Sequence, residues 1–247
     1  MTGRELPPSS PFAADDGSAD PRVAAALGAY GAGTAPLADV VGALAGTRVL
    51  VPVLAELEVA GVVEHGGHGH VVDKEASAGI VALRAPDGRT ALPVFSDVAA
   101  MHAWRADARP VPTDVQRAAL SAVTEGWEVL VVDPGGPVTV LLPRPAVWAL
   151  AQAERWHPAV VGTGAGAEVD PEVRAAVVAA VTGVPGVVHG DARPGARSEV
   201  AVVLALRPGL DRAGLDRVLA AVNAALAGDR VVADRVDSLQ LELRTAR

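Results

Sequence analysis

The sequence predicts an α+β protein made of two small domains, each a mixed, mainly antiparallel sheet with packed helices. Three observations carry that expectation. Helix-cap signals and strand patterns are interspersed in both halves of the chain, so neither half reads as all-α or all-β. Two pairs of apolar runs fold back around turn-forming residues, Asp87-Gly88 and the DPGG stretch at 133–136, as antiparallel hairpins do. Between the halves lies HPAVVGTGAGAEV, a connector rich in Gly and Ala.

Taken in order, residues 1–20 are rich in Pro, Ser, Asp and Gly and read as a disordered tail. Asp20 before Pro21 joins an N-cap to a proline at the first helical position, which opens a helix over 21–30. A second short helix fits 36–45. RVLVPVLAELE (48–58) reads as a strand, and Pro52 lacks a backbone donor, which places it at an edge or a bulge. GIVALRAPDGRTALPVF (79–95) is the first hairpin, and Ser96-Asp97 then caps a short helix to Trp104. After the Pro-rich RPVPT, Thr113 and Gln116 have capping-box spacing. Ala118, Ala119, Ala122 and Val123 follow as an inner face, and Gly126 is the stop. WEVLVVDPGGPVTVLLP (127–143) is the second hairpin, and Pro145 opens a helix through Gln152. These elements assign a first domain to 21–153.

Residues 154–169 are read as the linker and 170–247 as the second domain. Asp170-Pro171 repeats the cap-and-proline signal for a helix to about 181. RSEVAVVLALRP (197–208) is a buried strand. Asp211 caps a helix that puts Leu215, Val218, Leu219, Val222, Ala225 and Leu226 on one face, and Gly228 stops it. SLQLELR (238–244) alternates Leu239, Leu241 and Leu243 with polar residues, the pattern of a half-exposed strand.

Composition narrows the function. Net charge is −8, with 10 basic and 17 acidic side chains in residues 1–153 and 11 and 12 in residues 154–247. No basic stripe is available to neutralise phosphates, so no nucleic-acid partner is expected. The absence of cysteine excludes disulfides, thiolate nucleophiles and Cys-ligated zinc. The first twenty residues lack the apolar core of a secretory signal, and no apolar stretch approaches the roughly 20 residues of a membrane span. The expectation is a cytoplasmic protein with no membrane partner.

Two motifs invite sharper readings. EHGGHGH (64–70) offers His65, His68, His70 and Glu64 to a metal, but its three glycines make ordering a site costly in entropy. It is read as a hairpin tip, and no metal is assigned. GTGAGA (162–167) matches a dinucleotide fingerprint literally. The helix that should start within the motif begins only at Pro171, so it is read as linker and no cofactor is assigned. No G-x-S-x-G elbow occurs and no catalytic residues are assigned, which makes an enzyme the less expected class.

Aromatic side chains are few: two Phe, one Tyr and four Trp. Trp127 and Trp148 are expected in the core, where Trp is mostly buried. Pro93, Phe95, Ser96 and Trp104 are read as an interaction surface. Pro93 suggests an edge strand, two aromatics would anchor a partner, and Ser96 leads into a helix N-terminus. Core filling by Phe95 and Trp104 is the competing reading.

The run DKEASAGIVALRAPDGRTALPVFSDVAAMHAWRADARPVP, followed by EGWEVLVVDPGGPVTVLLPRPAVWALAQ, resembles the SseB family, in particular its actinobacterial branch. The resemblance runs in order over about 21–153, and the C-terminal part resembles the SseB C-terminal domain. The family is named for enhanced serine sensitivity. Membership implies a cytoplasmic protein and brings no catalytic residues with it. The expected function is a binding or regulatory module acting through an unidentified protein partner, with a homo-oligomer left open. The alternative is a small-molecule enzyme or ligand sensor using a pocket between the domains.

Overall fold

The computed structural model describes residues 11–54, 81–85 and 88–246, and the EHGGHGH segment lies outside them. The architecture is α+β. Helix α1 (Pro21–Gly31) starts where Asp20 accepts a hydrogen bond from the Arg22 N–H at 2.8 Å, and α2 (Leu37–Leu44) follows. Strand β1 (Arg48–Val53) leads to the hairpin of β2 (Leu83–Arg84) and β3 (Thr90–Val94), in which Leu83 faces Ala91. Asp97 then caps α3 (Val98–Trp104) by accepting from the Ala100 N–H at 2.7 Å.

The Pro-rich RPVPT forms a strand. β4 (Arg109–Asp114) runs antiparallel to β1 along its whole length, with Pro52 opposite Pro110. The capping box expected at Thr113 and Gln116 does not form. Asp114 is the cap residue of α4 (Val115–Thr124), and the Gln116 amide reaches the Ala151 carbonyl at 3.3 Å instead. β5 (Val129–Val132) and β6 (Val140–Leu142) form the second hairpin, and α5 (Arg144–Ala151) follows. β3 and β5 are parallel neighbours, giving the order β2-β3-β5-β6.

The connector is more ordered than its composition suggests. β7 (Val160–Val161) and β8 (Glu168–Val169) pair as a small hairpin around a 3-10 turn at Gly164–Gly166. Gly162 has φ +82°, and a Cβ there would lie 2.5 Å from the Gly166 carbonyl oxygen. The glycines of GTGAGA therefore serve a tight turn.

Helix α6 (Pro171–Thr182) begins on Asp170, which accepts from the N–H groups of Glu172 and Val173. β9 (Val187–Pro194), β10 (Val200–Leu206) and β11 (Leu239–Thr245) form a second sheet, with α7 (Arg212–Gly228) and α8 (Arg230–Arg235) between the last two strands. β9 is antiparallel to β10, whereas β11 is parallel to it. Across the described residues, five strand pairings are antiparallel and two parallel.

Two large hydrophobic clusters divide along the sequence. One runs from Val23 to Trp156, the other from Ala159 to Val236. Both are built mainly from Val, Ala and Leu, each buried Val or Leu contributing about 1.5–3 kcal/mol. Gly190 on β9 has Val181 of α6 directly over it, so a side chain there would push that helix off the sheet.

The disordered tail expected over 1–20 needs correction for residues 11–20. Arg48 holds the Asp15 carboxylate with Nε at 2.6 Å and Nη2 at 3.0 Å. The same guanidinium donates to the carbonyls of Ser18 and Ser96. The Val98 N–H adds a bond to the Gly17 carbonyl at 2.9 Å. One arginine thus ties β1 to two separate segments, the stretch of Asp15 to Ser18 and the turn at Ser96, which a composition count does not register. That hydrogen bond from Arg48 holds the Asp15 carboxyl below its ordinary value.

Candidate functional site

The four residues read from sequence as a surface do come together, but largely inside the protein. Phe95 is wholly buried with Leu50, Met101 and Ala108. Its backbone exchanges two 2.9 Å hydrogen bonds with Leu50. Pro93 is buried opposite Val131 in the parallel ladder. β3 therefore lies between β5 and the β2–β1 side, and the edge-strand premise does not hold. Ser96 is also buried, donating from its backbone to Asp133 Oδ1 at 2.8 Å and from its hydroxyl to Oδ2 at 2.7 Å. Burial pushes the Asp133 carboxyl up, against the pull of those two bonds. Only Trp104 reaches solvent, half-buried with its ring centroid 5.3 Å from that of Phe95. This cluster is a satisfied piece of core that ties the ends of β3 and β5 together.

A different set of side chains surrounds the junction between the two hydrophobic clusters. Here Arg89 grips Asp237 with both Nη atoms, at 2.8 and 3.0 Å. The same carboxylate accepts from the Arg144 backbone N–H at 3.0 Å, while the Asp237 N–H donates to Glu199 at 2.7 Å. The Arg144 guanidinium also reaches the Ala233 carbonyl at 2.9 Å. Burial pushes the Glu199 carboxyl up. Farther along, Arg235 pairs with Asp170 at 3.0 Å and Glu172 at 2.9 Å, and donates to the carbonyls of His157 and Pro158. Burial would raise the Asp170 carboxyl, but Arg235 and the N–H groups at the start of α6 outweigh it and hold it down.

Two hollows flank this junction. A cavity of about 960 Å³ is lined by Val41, Thr47, Val115, Leu150, Trp156 and Arg235. A groove of about 740 Å³ shares Glu154, Arg155, Trp156, His157 and Arg235 with it, and adds Arg144, Trp148 and Arg230. Trp156 is buried between them, and its indole N–H meets no acceptor among the described residues. Trp148 is the correction to the sequence reading: expected in the core, it is 45% exposed on α5. The other residues from Pro145 to Ala151 on that helix are all buried. Trp127 is partly buried against the first cluster, in line with its expected place.

Among the described residues, no group of three or more His, Cys, Asp or Glu side chains is placed to hold a metal ion. No helix among them is long and apolar enough to cross a membrane.

Comparison with known proteins decides the family. The model for the SseB protein N-terminal domain matches residues 23–149, just over half of the chain. The chain belongs to the SseB family. No curated protein and no solved structure matches it. The SseB match runs from within α1 through most of α5, and so includes both the buried Phe95–Asp133 cluster and the exposed Trp148. Trp156, Arg235 and Asp237 fall outside it. The junction is thus built from an SseB face on one side and the segment after it on the other. Sequence reasoning missed this site because its arginines find their partners across separations of up to 148 positions.

Proposed function

We propose that this SseB-family chain is a cytoplasmic binding module that seats an extended segment of a partner protein in the groove beside Trp148. In this reading the residues after the matched region are the SseB C-terminal domain, and they supply the far wall through Arg230 and Arg235. The carrying observation is the exposure of Trp148 on a helix whose other residues from Pro145 on are buried. A tryptophan bordering a concave, charged groove has the chemistry of an interface anchor, with a large apolar body and one N–H donor. Arg155, which makes no ion pair among the described residues, adds an uncommitted cation to the same groove. The test is affinity capture from the native host, with mass spectrometry naming the partner and a purified binding assay comparing wild type with Trp148→Ala. Unchanged affinity in the variant would overturn the proposal.

A second reading has its own observation. The cavity of about 960 Å³ lies at the upper end of small-ligand pockets and is lined in part by Trp156, whose N–H is buried without an acceptor among the described residues. A small molecule whose acceptor group displaces the packing over that N–H would satisfy it. A thermal-shift screen of metabolites against wild type and Trp156→Phe distinguishes this reading. A compound that stabilises only the wild type supports it, and no stabilising compound counts against it.

A further inference from the structure

We propose that two copies of this chain pair antiparallel along β11, about a twofold axis at Leu243, so that Glu242 of each faces Arg244 of the other. This surface is separate from the Trp148 groove and does not depend on it. β11 is the last strand in the order β11-β10-β9, and among the described residues nothing pairs with its outer side. Backbone direction alternates along a strand, and the two ends of β11 reveal the phase. The Ser238 carbonyl accepts from the Val200 N–H, and the Ala246 N–H donates to the Leu206 carbonyl. Even-numbered residues therefore turn their backbone groups toward β10, and Leu239, Leu241, Leu243 and Thr245 present theirs to the open edge. An open row of donors and acceptors is a template for another strand.

The side chains select a second copy as the occupant, and they also select a register. Leu239 and Leu243 are 37% and 44% exposed. Exposure is greatest toward the end of the strand, where Leu243, Arg244 and Thr245 are all exposed. The start is closed in differently, because Asp237 is clamped to Arg89 and Arg144 two residues before β11. Pairing centred on Leu243 uses the open end. It sets Leu243 against its own copy and Leu241 against Thr245. It also sets Glu242 against Arg244 twice, in the closer, non-hydrogen-bonded positions where cross-strand charge pairs interact best, adding the partner's guanidinium to a carboxylate that already accepts from Arg193 and the Gln240 amide of its own chain. Centring on Glu242 would oppose two carboxylates. Centring on Leu241 would oppose Gln240 with Glu242 and leave Arg244 without its carboxylate.

The register gives a reciprocal test. Light scattering and sedimentation should show a dimer at about 100 μM, above the micromolar dissociation constants of weak interfaces. Arg244→Glu and Glu242→Arg should each weaken self-association at least about tenfold, since each creates two like-charge pairs across the axis. Mixing the two variants should recover a heterodimer of near wild-type strength, because one then carries Glu and the other Arg at both 242 and 244. Circular dichroism checks that each variant is folded. Arg244 is exposed and its replacement leaves the core intact, whereas Glu242→Arg also breaks the Arg193–Glu242 ion pair, so Arg244→Glu is the decisive single variant. A monomeric wild type overturns the proposal and leaves the edge to a strand of some other protein. A dimer indifferent to both single variants places self-association on another surface. Failure of the mixture to associate overturns the register.

Discussion

Trp104 on α3 and Trp148 on α5 make an instructive pair. Both helices are short, and each follows a strand of the same four-stranded sheet. Trp104 turns inward to stack against Phe95, at the edge of a small satellite cluster. Trp148 stands 45% exposed, on a helix whose remaining residues from Pro145 to Ala151 are buried. The lesson concerns phase. A helix nearly buried all round leaves a single position facing outward, and the fold needs no indole there. An exposed tryptophan at that position calls for a reason outside the fold, whereas a half-buried one beside a phenylalanine does not.

Mutations that break the inward cluster should have the largest effects. Phe95→Ala should cost about 3–5 kcal/mol of unfolding free energy, measured by denaturant titration, because the cavity is fully enclosed. Asp133→Ala should cost about 2–4 kcal/mol. It strands the Ser96 N–H and hydroxyl in the core and leaves an alanine at φ +48°. If either variant is as stable as wild type, the inward half of the comparison fails.

Asp237→Ala should come next, at about 1–3 kcal/mol, since it leaves the Arg89 guanidinium and the Arg144 N–H short of their shared acceptor. Limited proteolysis should then cut faster between Trp156 and Ala159, where the two hydrophobic clusters separate. An unchanged cleavage rate would mean that the junction is held by other contacts.

The carboxylates predict opposite pH behaviour. Asp15 has a lowered folded value, so its contribution is complete above its ordinary value of 3.8 and is lost as pH falls through the folded one. Asp133 is raised, so its contribution is complete below 3.8 and is lost as pH rises through its folded value. Asp133→Asn keeps an acceptor for the Ser96 N–H and suits the left-handed backbone. Its stability should therefore gain on wild type as pH rises from about 4 to 7, ending within about 1 kcal/mol of it. Urea titrations at several pH values check the sign.

Much of the fold was legible because local chemistry decided it. Asp20-Pro21, Asp170-Pro171, Asp97 and Asp211 cap helices where the sequence places them, and both hairpins turn at their Gly-containing loops. Two of the strands that were not legible depend on remote stabilisation, while β7 and β8 pair locally within a stretch whose glycines read as linker. β4 contains Pro110 and Pro112 and is held by β1, while β9 contains His189, Gly190 and Pro194 and is held by β10. Of the junction site, the sequence singled out Trp148 alone, and placed it in the core. Whether Trp148 or Trp104 faces out depends on which face of its helix the sheet covers, and only tertiary packing sets that.

The smallest expected stability effect belongs to the residue with the largest expected binding effect. Wild type, Trp104→Ala and Trp148→Ala should be compared side by side for melting temperature and for affinity toward the partner recovered with wild type. Trp148→Ala should shift melting by less than about 2 °C yet weaken binding at least about tenfold. Trp104→Ala should lose about 2 kcal/mol of stability and, while folded, bind as wild type does. Full affinity in Trp148→Ala, or a binding loss in Trp104→Ala alone, would contradict the account.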